Sequence, residues 1–298
     1  MAEVRKNSPR AWWLAARPKT LAAALIPVAT ASALAAADGV FRAAPALVCC
    51  LFAALMQVAA NFINDLYDFR RGTDRDDRLG PERACAQGWI SVRAMGWGIL
   101  AALAAACAAG LSLLPYGGVP LIYIGVACVV FAFLYTTLLS YVGCGDVLVW
   151  VFFGFVPVAG TYLVQAGGAF FSLPVRVWLL GAACGLVTDT LLVLNNYRDR
   201  EQDALSGKRT LVVALGARFG SLLYLAQGAA AAFLAASLLL PHNTAAAALP
   251  LLYLLPHTLT WREMTRISRG RALNRILGKT SRNMLLFALL VSAALLLA

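Results

Sequence analysis

The chain has 298 residues, of which 61% are hydrophobic and 13% charged, with a formal net charge of +11 and a mean hydropathy of +0.75. Soluble domains carry about a quarter charged residues, so the composition excludes an ordinary soluble globule and describes a chain whose solvent is a bilayer. The positive excess is no nucleic-acid footprint, because membrane topology and attraction to anionic headgroups account for it.

A membrane-spanning helix needs about 20 apolar residues. Such runs lie at about 21–37, 44–63, 94–114, 119–139, 146–166, 177–196, 218–240, 244–260 and 282–298. They predict an all-α integral membrane protein with nine transmembrane helices, forming one polytopic domain over 1–298. Lys and Arg gather on the cytoplasmic side. With the N-terminus inside, the cytoplasmic segments are the residues before span 1 together with 64–93, 197–218 and 261–282. These hold 23 of the 25 Lys and Arg, and Arg42 and Arg176 alone fall on the far side. The pattern predicts a cytoplasmic N-terminus and an external C-terminus, with the arginines of 262–282 setting topology. The basic start, apolar run and ALAAADG imitate a cleavable signal peptide, but the long preceding region with Trp12, Trp13 and ARPKT favours an uncleaved first helix.

Span 2 leads into NFINDLYDFRRGTDRDDRLGPER, Asn61 to Arg83, which holds five aspartates, one glutamate and five arginines in an otherwise apolar chain. Span 6 leads into NNYRDREQDALSGKRT, Asn195 to Thr210, and the predicted topology puts both segments on the cytoplasmic face. If each helix continues into its polar segment, helical spacing groups the oxygens. Gln57, Asn61, Asn64 or Asp65, and Asp68 form one stripe, and Asp189, Asn196, Asp199 and Asp203 form the other. A charged loop is ordinarily a solvated connector. Two clusters on one face, each with amides beside the acids, point instead to an oxygen-lined cavity, since acids at a membrane edge are costly. Gathered carboxylates need cations. Oxygen donors without imidazole or thiolate suit a hard ion, and Mg²⁺ takes one or two carboxylates and leaves other positions to water and phosphate. The clusters therefore suggest Mg²⁺ shared with a diphosphate, with Arg78, Arg83, Lys208 and Arg209 available for the outer phosphate oxygens.

The seven cysteines show no CxxC spacing and read as small hydrophobes, and two histidines, His242 and His257, are too few and too separated for a zinc or haem site.

These segments resemble the UbiA superfamily of intramembrane prenyltransferases. NDLYD, Asn64 to Asp68, is similar to the first family motif, NDxxDxxxD, and DREQD, Asp199 to Asp203, to the second, DxxxD. ARPKT at 16–20, LYTTLLSYVGCGD at 134–146 and FFGFVPVAGTYLVQAG at 152–167 add to the likeness, which runs in family order over 16–216 and is strongest for the menaquinone branch. The third aspartate of the first motif is Gly72 here, with Asp74 two residues on, and the Tyr-x-x-x-Lys element of 4-hydroxybenzoate enzymes is Tyr135 with Leu139.

The resemblance implies a UbiA-type bundle in the bacterial cytoplasmic membrane. It implies Mg²⁺-dependent transfer of a polyprenyl group from its diphosphate to an aromatic acceptor, 1,4-dihydroxy-2-naphthoate, with loss of CO₂. Carried residue by residue, it implies metal ligands at Asn64, Asp65, Asp68, Asp74, Asp199 and Asp203. Acceptor contacts are expected at Arg17, Lys19, Asn61, Asp189 and Asn196. Asp146 is expected as a proton acceptor and Tyr135 as an aromatic face for the allylic cation, with Tyr67 and Tyr197 as further faces. The alternatives are another acceptor within the superfamily and, remotely, a secondary transporter, whose binding groups would lie near the midplane.

Overall fold

A computed structural model describes residues 4–72 and 78–298, with Phe171 described by its backbone alone. Among the described residues the regular structure is helical. α1 (Pro9–Ala16) is capped by Ser8, whose side chain accepts from the Ala11 amide at 3.2 Å. Arg17 then turns the chain with left-handed backbone angles (φ 51°, ψ 68°), and Pro18 opens α2 (Pro18–Ala37). Pro18 has no amide proton to lose at a helix start.

α3 (Ala43–Arg70) and α9 (Val175–Leu205) are long because both continue, as expected, out of the apolar run and through their polar segments. Between them come α4 (Val92–Leu111), a short α5 (Leu114–Gly117), α6 (Pro120–Leu134), α7 (Gly145–Trp150) and α8 (Val156–Ala166). Two π-helical stretches, Tyr135–Leu139 and Val151–Phe155, lie on either side of α7. Such wide turns recur where a helix is adapted to a site. Pro157 follows the second and offers no N–H to the carbonyl four residues earlier.

α10 (Leu211–Leu239) returns along α9, and α13 (Leu273–Leu297) closes the bundle against α2 and α9. The remaining predicted span is made of three pieces: α11 (Thr244–Ala248), a 3₁₀ turn over Pro250–Tyr253, and α12 (Leu254–Ile267). Pro250 and Pro256 interrupt its amide ladder. Among the described residues eight helical segments are therefore long and apolar enough to cross a membrane, where nine were expected.

α9 occupies the centre, packed by α2, α7, α8, α10 and α13. The approach of α9 to the end of α7 and the second π-helical stretch depends on glycine: a Cβ on Gly154 would stand 2.5 Å from the Gly181 carbonyl oxygen, and one on Gly185 3.0 Å from Trp150 Cα. Small residues allow this main-chain contact, the usual means of tight helix packing in lipid. Apolar side chains such as Leu47, Val126 and Leu289 remain exposed on the outside, where hydrocarbon replaces water.

Candidate active site

Two cavities meet inside the bundle. One is polar, with a volume of about 1010 Å³, and lies between the C-terminal ends of α3 and α9. The other is largely apolar, about 330 Å³, and descends among α2, α3, α6, α8 and α9. Thr20, Asn64, Tyr135, Leu191, Leu192 and Asn195 line both and form the neck between them.

The α3 wall separates two neighbouring residues that the sequence left as alternatives. Asn64 faces the neck, and its Oδ1 accepts from the Thr136 hydroxyl at 2.5 Å. Asp65, about 100° further round the helix, points away from the cavity. Its oxygens accept from the backbone amides of Ala84 and Cys85 at 2.9 and 2.8 Å, and Arg17 Nη2 lies 3.8 Å away. Asp65 is therefore placed as the anchor of the loop carrying Arg78 and Arg83, away from the expected metal site. Asp68, one turn after Asn64, returns to the cavity and accepts from Arg83 Nη2 at 2.8 Å. Asp74 lies outside the described residues.

The α9 wall presents Asn195, Asn196, Asp199, Gln202 and Asp203. Arg198, only 3% exposed, grips Asp199 through Nε and Nη2 at 2.7 and 2.6 Å and donates from Nη1 to Asn274 at 2.8 Å. Asn274 in turn donates to the Leu79 carbonyl at 2.7 Å. The first turn of α13 thus ties the two acidic segments together. Lys208 Nζ lies 3.4 Å from Asp203. Burial pulls the Lys208 ammonium down, but the carboxylates of Asp203 and Asp68 outweigh it and leave the group raised above its ordinary value.

Asp146, in the first turn of α7, borders the polar cavity, and Tyr135 stands at the neck. Asp189 lies behind Asp146, fully buried, with Oδ2 accepting from Gln227 at 2.5 Å. Asn61 likewise stands off the cavities, donating to the Ala16 carbonyl and the Thr20 hydroxyl, each at 2.9 Å. Neither Asp189 nor Asn61 lines a cavity, so neither occupies the acceptor position expected for it. Arg209 is also absent from the lining and gives its backbone amide to the Tyr141 carbonyl at 2.9 Å.

Arg17, Lys19, Arg78, Arg83, Asn196, Asp199, Asp203 and Lys208 do line the polar cavity. Of the three tyrosines, only Tyr135 reaches a cavity; Tyr67 packs edge-on against Phe133, and the Tyr197 ring lies under Arg200. Sequence reading passed over Asn195, Arg198, Arg71 and Asn274 as individual site residues. Asn195, Asp199 and Asp203 recur every four residues, so the periodicity already contained the better stripe. Asn274, 75 residues beyond Asp199 in a basic run, carried no local signal.

The donor set can be tested against a metal. Among the described residues no three acids, cysteines or histidines converge on one point, so the described residues by themselves form no closed cage. Asn64 and Asp68 on one wall face Asn195, Asp199 and Asp203 on the other. Separated carboxylate and amide oxygens of this kind fit Mg²⁺, which completes its shell with water and substrate phosphate.

A helical bundle holding a charged chamber above an apolar one is the architecture of a membrane-embedded prenyltransferase. The UbiA prenyltransferase family model matches residues 24–286, and the chain belongs to that family. It is 37% identical over 220 residues to a 1,4-dihydroxy-2-naphthoate octaprenyltransferase of Haemophilus influenzae, covering 70% of each chain. To the Mycobacterium tuberculosis protein of the same name it is 35% identical over 292 residues, 95% of this chain and 96% of that one. A UbiA homolog from Archaeoglobus fulgidus bound to GPP and Mg²⁺ superposes with a TM-score of 0.66 at 17% identity, covering 97% of this chain and 100% of that one. The last likeness is one of fold.

Proposed function

We propose that this enzyme transfers a polyprenyl group from its diphosphate to 1,4-dihydroxy-2-naphthoate, with loss of CO₂, giving the reduced, quinol form of demethylmenaquinone, and that its polar cavity opens to the cytoplasm. The observation that carries the reading is the neck joining the acid-lined and apolar chambers. A substrate with a diphosphate head and a hydrocarbon tail fits both, with its reactive carbon between them. The naphthoate relatives support the acceptor.

Asn64, Asp68, Asp199 and Asp203 would hold Mg²⁺, which supplies Lewis-acid neutralisation of the charge that grows on the leaving diphosphate. Lys208, Arg78 and Arg83 receive outer phosphate oxygens as hydrogen-bonding cations. Heterolysis of the allylic carbon–oxygen bond leaves an electron-poor carbon at the neck, where the Tyr135 ring offers its negative face and the apolar walls exclude water. Arg17, Lys19 and Asn196 bind the acceptor's carboxylate. Asp146 accepts the ring proton displaced by the prenyl group and returns it to the ring carbon that releases CO₂, while Asp189 and Gln227 behind it hold the buried polar group in place. A different aromatic acceptor, served by the same diphosphate machinery, is the second reading, since acceptor contacts are fewer than diphosphate contacts.

The test is prenyl transfer by purified protein in nanodiscs, with 1,4-dihydroxy-2-naphthoate or 4-hydroxybenzoate, with and without Mg²⁺. A decarboxylated prenyl naphthoquinol, or the quinone it gives on air oxidation, formed only with Mg²⁺ supports the reading. Diphosphate release without that product moves the assignment to another acceptor. Folded protein that cleaves no prenyl diphosphate with any acceptor overturns it.

A further inference from the structure

We propose that Tyr141 is a positioning residue whose ring holds Arg71 and Lys208, from the two acidic segments, as a pair of cations at the rim of the polar cavity. The proposal rests on the diphosphate reading above. Arg71 caps the end of α3, Lys208 lies in the turn after α9, and both line that cavity. Two like charges in one rim repel each other, and something must hold them close. Arg71 Cζ lies 4.6 Å and Lys208 Nζ 5.3 Å from the centroid of the single Tyr141 ring. Both distances fall within cation–π range.

The ring is itself held by backbone. Tyr141 sits in the turn between the first π-helical stretch and α7, and its carbonyl accepts from the Arg209 amide at 2.9 Å. Gly143 adopts φ +81°, and a Cβ there would stand 2.8 Å from the Arg209 carbonyl oxygen, so the turn can lie this close to 207–210 only with glycine. Arg71 Nη2 donates to the Thr137 carbonyl in the same stretch. The Tyr141 hydroxyl is buried with no hydrogen-bond partner among the described residues. Buried tyrosine hydroxyls usually find one, so it is the ring face, and not the hydroxyl, that has a partner here. Lys208 is shared between Asp203 and this ring. When the substrate diphosphate engages the acidic wall, the ring keeps the ammonium at the rim to meet it.

Tyr141→Phe and Tyr141→Leu separate ring from hydroxyl. The full-length protein is tested for Mg²⁺-dependent binding of inorganic pyrophosphate by calorimetry, for KM and kcat with prenyl diphosphate, and for melting temperature. Tyr141→Phe should match wild type. Tyr141→Leu should weaken pyrophosphate binding and raise KM by roughly three- to tenfold, with kcat changed by less than about twofold. Wild-type affinity in Tyr141→Leu, or equal damage in Tyr141→Phe, would overturn the proposal. If Tyr141→Leu does not fold, Arg71→Met at the exposed rim tests the same contact: weaker pyrophosphate binding supports it and unchanged binding refutes it. Wild-type protein that binds no pyrophosphate brings down the diphosphate reading and this proposal with it, whereas a binding wild type with an equally competent Tyr141→Leu brings down this proposal alone.

Discussion

Arg198 and Asn274 lie 76 positions apart and meet at 2.8 Å between Nη1 and Oδ1. The same Arg198 holds Asp199 with its other two nitrogens, and the same Asn274 holds the Leu79 carbonyl. The last long helix therefore sets the spacing of the two acidic walls without contributing an acid.

Asn274→Ala is expected to release both contacts. A hydrogen bond to a charged group contributes about 1.5–3 kcal/mol, so prenyl transfer should fall roughly tenfold or more. Wild-type turnover in the folded variant would show that the tie is dispensable.

Asp65 and Asp68 should separate in metal titrations. Asp68→Asn removes an oxygen charge from the cavity, and the Mg²⁺ concentration for half-maximal activity should rise. Asp65→Ala leaves the Ala84 and Cys85 amides without their acceptor. It should lower the melting temperature and weaken diphosphate binding, with the Mg²⁺ requirement little changed. Equal shifts in Mg²⁺ requirement would assign Asp65 to the metal.

Asp146→Asn is expected to lower kcat by about 10²-fold or more, the scale of a lost general base, while pyrophosphate affinity stays near wild type. Steady-state kinetics combined with calorimetry makes the comparison, and undiminished turnover removes Asp146 from the mechanism.

Gly154→Ala places a methyl 2.5 Å from the Gly181 carbonyl oxygen. Overpacking of this kind costs about 1–3 kcal/mol, visible as a lower melting temperature. Gly160→Ala, where a Cβ meets nothing within 4 Å, is the matched control and should melt as wild type.

Glu263 bridges Arg275 and Lys279, tying α12 to α13. The Lys279 hydrogen bond, with Arg275 nearby, holds its carboxyl below the ordinary value of 4.5. A depressed folded pKa gives stability that is complete above the unfolded value and fades as pH falls through the folded one. The melting advantage of wild type over Glu263→Gln should be constant above about pH 5 and shrink below 4.5. An advantage independent of pH would remove the ion pair as its source.

Hydropathy revealed the helices that are long and apolar enough to cross, because a bilayer demands long apolar runs. It did not reveal that Pro250 and Pro256 break the eighth run, 244–260, since hydropathy does not register a missing amide. The motif spacing singled out Asn64, Asp68, Asp199 and Asp203, and all four line the polar cavity because they lie on long helices whose periodicity holds. It could not choose between Asn64 and Asp65, which differ by one helical step, nor see that Asp189 sits behind Asp146. Asn274 and Tyr141 act through tertiary contacts, and no local pattern encodes those.

The two chambers also bear on traffic. On the proposed reaction the substrate arrives as an amphiphile, its charged head retained above the neck and its tail already in an oil-like space. Transfer severs head from tail. What remains in the lower chamber has no ionic tether, and the prenylated ring, having lost its carboxylate, is more soluble in lipid than either reactant. Release is then a partition down a solubility gradient, and the cleaved diphosphate and the quinone precursor leave by different doors. Such an enzyme works as a one-way valve between an aqueous pool of charged precursors and a membrane pool of neutral carriers.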